Sequence, residues 1–194
     1  MAEKDDKTKN EQETPDLAQK MLQTRTILLT GEINKELAEK VIKQLLLLEA
    51  DSEDPIKIFI DSPGGDADAG FAMYDMIRFI KAPVYCIGMG LVASAASIVL
   101  IAVPNERRIA LPNSHYLIHQ PLSGIRGVAT EIEIHANELE KLRIKINKLI
   151  AAETGKSEEQ VSADTDRDYW MTAEEALDYN LVSRIISKRD ELGV

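Results

Sequence analysis

The sequence predicts an α/β fold built on a largely parallel sheet. Short apolar strands alternate with longer stretches of helical periodicity, the pattern of β-α-β units. Residues that start and stop helices stand at the borders of those stretches. The chain is 194 residues long and 44% apolar, enough for one packed core. One domain is therefore expected over residues 15–194. Residues 1–14 mix both charges, have almost nothing to bury and read as a disordered tail.

Thr26–Thr30 reads as a strand, TILLT, closed by Gly31. Asn34 offers a cap for a helix over 35–50, in which Leu37, Val41, Leu45 and Leu48 share a face. Asp51–Pro55 is a turn and Ile56–Ile60 a strand, broken by SPGG at 62–65. A helix follows from about Asp68 to Ile80. The spacing then predicts a buried strand over 84–89, a Gly-rich turn over 90–93 and a buried helix over 94–103. Arg108–Leu111 and His115–His119 are two further short strands around the turn Pro112-Asn113. The longest helix has Thr130 and Glu133 as a capping box, an apolar side marked by Ile132, Leu139, Leu142, Ile146, Leu149 and Ile150, and Gly155 at its end. Ser157 with Gln160 and Thr172 with Glu175 start two more helices, the last of them stopping at Asn180. Leu181–Ser187 is expected as the final strand.

Composition excludes several classes. The net charge of −10 argues against a nucleic-acid binder, which needs clustered Lys and Arg. A single cysteine, Cys86, rules out an internal disulfide framework and fits a reducing, cytoplasmic setting. One Cys and three scattered His make a metal site improbable by ligand supply. Residues 82–105 carry no formal charge, yet Pro83, Gly88, Gly90, Ser94 and Ser97 favour buried strand and helix over a membrane span.

Four features could carry chemistry. Ser94 opens a predicted helix, where unsatisfied N–H groups favour developing negative charge, although a plain N-cap is the ordinary use of such a serine. Gly64-Gly65 could expose backbone N–H groups to an anion, or form only a turn, and matches no phosphate-binding fingerprint. His119 and His115 lie on one strand face and either could act as a base, while His135 reads as a surface or interface residue of the long helix. Asp164, Asp166 and Asp168 could supply a residue that orients a histidine, or form a solvated acidic loop too short for a calcium site.

Together, IFIDSPGGDADAG, GMGLVASAASIVL, RRIALPNSHYLIHQPLSG, GVATEIEIHANEL, DTDRDYWMTAEEALDY and NLVSRII resemble the proteolytic subunit of the Clp protease family, from about residue 17 to the end. The resemblance implies a crotonase-like layered α/β fold with a protruding handle helix over 131–154. It makes Ser94 the nucleophile, His119 the base and Asp168 the residue that orients it, with the N–H groups of Gly65 and Ala95 as oxyanion hole. His115 drops to a structural role. No G-x-S-x-G elbow surrounds Ser94, which disfavours an α/β-hydrolase. The resemblance further implies substrate contacts near Asp66, Leu122, Ser123 and Gly124, where an extended segment after HQP pairs with the polypeptide. Arg167 matches a position that pairs across rings. The implied assembly is a homo-oligomer of two stacked heptameric rings, fed by an AAA+ unfoldase of ClpX, ClpA or ClpC type, without cofactor, metal, nucleic acid or membrane.

Some positions depart from the family pattern. Lys57 stands where an aromatic is common in the ATPase-docking pocket, while Phe59 is kept. Ser123 replaces a Gly, Val128 a Gln and Asp61 an Asn, Asp66 adds a charge near the cleft, and a charged tail replaces an apolar N-terminal segment. These departures leave two alternatives beside an active protease: a weakly active or non-catalytic ring subunit that works with a paralogous ring as a hetero-oligomer, and a crotonase-type acyl-CoA enzyme.

Overall fold

The computed structural model describes residues 20–194, so the expected tail over 1–14 lies outside the described residues. The strands are β1 (Thr26–Thr30), β2 (Ile56–Ser62), β3 (Val84–Ala93), β4 (Arg108–Ala110), β5 (His115–Ile118), β6 (Tyr169–Thr172) and β7 (Arg184–Ile185). The helices are α1 (Lys35–Asp51), α2 (Ala67–Phe79), α3 (Ala95–Leu100), α4 (Ala129–Thr154), α5 (Glu158–Asp164) and α6 (Ala173–Asp178). The main sheet runs β1-β2-β3-β4-β7, all parallel. β5 pairs parallel with β3 and antiparallel with β6.

β3 serves two neighbours in turn. Its first half pairs with β2 and β4, and Leu91–Ala93 pair with β5. The ladder with β2 shifts register between Ile60 and Ser62. At that shift Gly90 has φ +53°, and a Cβ there would stand 2.6 Å from the Asp61 carboxylate, which accepts a 3.0 Å bond from Leu91 N–H. The turn expected over 90–93 is thus a strand irregularity. Gly90 marks a bulge, not a reversal, and the following helix is correspondingly shorter than 94–103.

Strand alternation separates two cores. Cys86 belongs to the main cluster with Ile58, Ile60, Met73 and Ala96, whereas its neighbour Ile87 joins a smaller cluster with Ile109, Ile186 and Leu192. α1 buries Ala38, Val41, Leu45 and Leu48, the face its spacing predicts, and is capped by Asn34.

Several boundaries differ from expectation. α4 starts at Ala129, not after Thr130, because the Glu131 carboxylate already accepts from Val128 N–H at 3.4 Å. Ile146 and Ile150 are buried, but Ile132 and Ile134 in the first half of α4 are exposed, so that half protrudes from the core. The final strand shrinks to Arg184–Ile185, which pair with Ile109 and Ala110 of β4. The caps at Ser157 and at Thr172 with Glu175 form as expected, as do the left-handed residues Gly155 and Asn180.

Candidate active site

Ser94 sits at the junction of β3 and α3 with φ 55° and ψ −122°, a conformation costly for a residue with a Cβ. Neighbours enforce it. Ser94 N–H donates to Leu117 O at 2.9 Å, tying the junction to β5. Ser97 Oγ donates to the same carbonyl at 3.1 Å, which anchors the first turn of α3. The Ser94 side chain makes no capping bond, contrary to its ordinary use at a helix start. A sharp strand-to-helix turn therefore presents the hydroxyl without the glycine motif that usually accompanies one.

The glycine pair wraps this turn. Gly64 has φ +87°, and a Cβ on it would lie 2.6 Å from both Ser94 Cβ and Ala93 O. Gly65 has φ +145°, and a Cβ there would meet Ile33 O at 2.2 Å. Ile33 N–H donates to Gly64 O and Asp66 N–H to Ile33 O, each at 2.8 Å. Those two bonds leave the Gly65 N–H out of the ladder. Among the described residues neither it nor the Ala95 N–H has a hydrogen-bond partner. Two such donors beside a hydroxyl can hold an oxyanion.

His119 follows β5, and Asp168 precedes β6. The antiparallel register pairs Ile118 with Tyr169, so its next step sets His119 opposite Asp168. Asp168 Oδ1 stands 3.3 Å from His119 Nδ1; the His side chain is 13% exposed and the Asp 60%. Further bonds hold the loop before β6. Gln120 N–H donates to Thr165 O at 2.7 Å and its side chain to Asp166 O at 2.6 Å. Buried Thr165 donates to Asn147 Oδ1 on α4 at 2.9 Å.

Of the other candidate acids, Asp164 accepts from Tyr179 OH at 2.9 Å and from Gln160 at 2.7 Å, a structural role, and Asp166 is exposed. Burial first, then the bond to Asp164, pushes the Tyr179 phenol above its ordinary value. His115 is exposed opposite Thr172 on β5 and does not line the cleft.

Ser94, Ala95, Gly65 and His119 line one cleft of about 810 Å³, with Asp66, Leu122 and Ser123 on its rim. Ile98, Leu117, Leu142, Ile146 and Ile150 supply apolar wall. Ser94 and His119 both line this space, and among the described residues no hydrogen bond joins their side chains. Such links often tighten only when substrate is bound. Asp66 reaches the rim, but its carboxylate caps α2 by accepting from Asp68 and Ala69 N–H at 2.8 and 3.1 Å. Gly124 is exposed and outside the cleft lining, and Arg167 is 90% exposed with Asp166 at 4.0 Å.

The sequence matches the family model described as Clp protease over residues 9–189. The chain belongs to the Clp protease family. It is 68% identical over 177 residues to the ATP-dependent Clp protease proteolytic subunit 2 of Treponema denticola, covering 91% of this chain and 88% of that one. Identity to the subunit 2 of Treponema pallidum is 61%, over 90% of this chain and 88% of that one. The solved structure of ClpP1 from Listeria monocytogenes superposes with a TM-score of 0.83 at 50% identity, covering 91% of this chain and 99% of that chain. Clp proteolytic subunits are serine peptidases, so this chain is one, with the family's α/β fold. The family works as ring-forming oligomers with Clp ATPases. Membership leaves the acyl-CoA alternative without support.

Sequence reasoning missed β6, the strand that delivers Asp168. The signal was present in Tyr169-Trp170-Met171-Thr172, a β-prone run ending at a helix cap. It also underrated His135, which lines the cleft and lies 2.7 Å from Ser123. A second cleft, of about 400 Å³, opens on the smaller core and is lined by Lys57, Phe59, Ile186 and Lys188 among others. Among the described residues no group of His, Cys, Asp or Glu could hold a metal ion, and no helix is long and apolar enough to cross a membrane.

Proposed function

We propose that Ser94, His119 and Asp168 are the catalytic triad of this serine endopeptidase. The 3.3 Å contact of Asp168 with His119 Nδ1, in the loop beside the strained Ser94 turn, carries the proposal. A carboxylate at Nδ1 favours the tautomer with its proton there and the free lone pair at Nε2. Nε2 takes the Ser94 hydroxyl proton as Oγ attacks a peptide carbonyl. The oxyanion accepts from the Gly65 and Ala95 N–H groups, while Asp168 stabilises the imidazolium. His119 then gives the proton to the leaving amine as the C–N bond breaks. Water, deprotonated by the same ring, releases the acyl group and regenerates Ser94.

The substrate is an unfolded polypeptide, cut to short pieces. Residues 122–125 pair with its main chain, and the apolar wall of the cleft receives a side chain. The single domain spans residues 15–194. Two heptameric rings stack through the handle α4 and Arg167, enclosing the sites in a cytoplasmic chamber. An AAA+ unfoldase docks at the cleft lined by Phe59 and Lys57. A second reading, in which the chain works beside a paralogous ring, is favoured by Lys57 on that cleft. Peptide hydrolysis by the pure chain, by Ser94→Ala and by a mixture with a paralogous ring tests both. Loss of several powers of ten in Ser94→Ala is expected. Unchanged hydrolysis in Ser94→Ala would defeat the triad, and full, unfoldase-coupled activity of the pure chain would defeat the mixed ring.

A further inference from the structure

From Pro121 to Gly127 the chain forms no repeating structure, and among the described residues its backbone makes no hydrogen bond within the chain. The two ends are held. Gln120 N–H is bonded to Thr165 O at 2.7 Å, and Val128 N–H to the Glu131 carboxylate at 3.4 Å. Within the segment one side chain is tied to the body of the protein: Ser123 Oγ lies 2.7 Å from His135 Nε2 on α4. Both residues line the active-site cleft.

We infer that His135 is a positioning residue for substrate: its ring grips Ser123 and so holds 121–125 as a ready edge for the main chain of an extended polypeptide. The inference rests on the strand-pairing reading above and specifies what prepares that edge. Unpaired backbone must lose its conformational freedom when a peptide adds to it, and a segment ordered beforehand loses less at that moment. The bond lies inside the segment, between the pinned Gln120 and Val128, where a tether restricts the chain on both sides of it. A glycine at 123 would supply no hydroxyl and would add freedom. The contact holds with either partner donating: the hydroxyl to an unprotonated Nε2, or Nε2–H to the hydroxyl oxygen. The Ser123 side chain is thus directed at α4, and its backbone is what remains to face substrate.

The test is a double-mutant cycle on the full chain carrying Ser94→Ala, read by anisotropy of a fluorescent ten-residue peptide that stays uncut. Ser123→Ala and His135→Ala should each weaken binding about three- to ten-fold, the range of one neutral hydrogen bond. The two together should do no more than one alone, and His135→Gln should recover most of the affinity. With Ser94 intact, the loss should fall on KM with kcat held, and labelling of Ser94 by a small phosphonate should keep its rate. Melting temperatures matching the parent would show that folding is unaffected, as expected for the exposed Ser123. Multiplying losses in the double variant, an unchanged affinity, or slowed labelling of Ser94 would each overturn the inference. A parent chain that neither cuts peptide nor takes the phosphonate would instead sink the triad, and the binding cycle would still report on the tether.

Discussion

Asp168 meets His119 at Nδ1, 3.3 Å away, and in the proposed triad that contact leaves Nε2 for Ser94. The acid is 60% exposed, so water competes for it and the pair adds little to stability. In the proposed triad its value is orientation. Asp168→Asn should therefore lower kcat by about 10²–10⁴-fold, by the logic of other triads. KM and melting temperature should hardly move. Steady-state kinetics and a thermal melt check this, and a KM effect without a kcat effect would place Asp168 in substrate binding.

Gly64→Ala should disable the site while leaving the fold. The new Cβ would lie 2.6 Å from Ser94 Cβ and 2.9 Å from Ala95 N, at φ +87°. Strain and overpacking together should cost about 1–3 kcal/mol in stability. Displacing one oxyanion donor should remove about 10²–10³ in kcat. Denaturation and peptide hydrolysis of the variant measure the two effects separately.

Arg108 is fully buried and binds the end of α4 to β4. It donates to Val103 O at 2.8 Å and to Glu153 O at 2.9 Å, and it pairs with the Glu153 carboxylate. Arg108→Met should destabilise the chain by about 2–4 kcal/mol, because the Val103 and Glu153 carbonyls lose their donor and the Glu153 carboxylate is left with Arg78, at 3.3 Å. Arg108→Met with Glu153→Met should recover part of that loss. Urea unfolding of the single and double variants tests it; equal destabilisation would show that the carbonyl bonds, not the charge pair, dominate.

Alkaline pH should loosen the core from the β3 side. Burial pushes the Cys86 thiol up to about 12 from an ordinary 9.0, with Arg108 opposing in part. Burial likewise lifts Tyr116 to about 12 from 10.0, its bond to Ser114 opposing. In the unfolded chain both groups lose their protons at lower pH. Their contribution is therefore complete below about pH 9 and is lost as pH rises from about 9 to about 12. Urea midpoints at pH 8 to 11 should fall more steeply for the parent than for Cys86→Ala. Equal slopes would contradict this.

Local rules made much of the scaffold legible. Asn34, Ser157 and Thr172 read as caps because capping depends on neighbours within one turn. The face of α1 followed from its period. Tertiary events were harder to read. Gly90 looks like a turn in sequence, yet Asp61 and the ladder with β2 hold it inside a continuous strand. The short β7 is defined by its pairing with Ile109 and Ala110 of β4, which local propensity does not encode. At the site, Ser94 and the glycine pair each had a bland explanation, and only the packing of Gly64 against Ser94 joins them. His119 and Asp168 meet through the β5–β6 ladder, and without β6 no local rule could have paired them.

The most direct measurement is exposure of the full chain to a serine-directed phosphonate, read by intact mass and peptide mapping. The account predicts one adduct per chain, on Ser94, formed far more slowly in His119→Ala. A folded chain that hydrolyses peptides yet carries no adduct, or carries it on another residue, would contradict it.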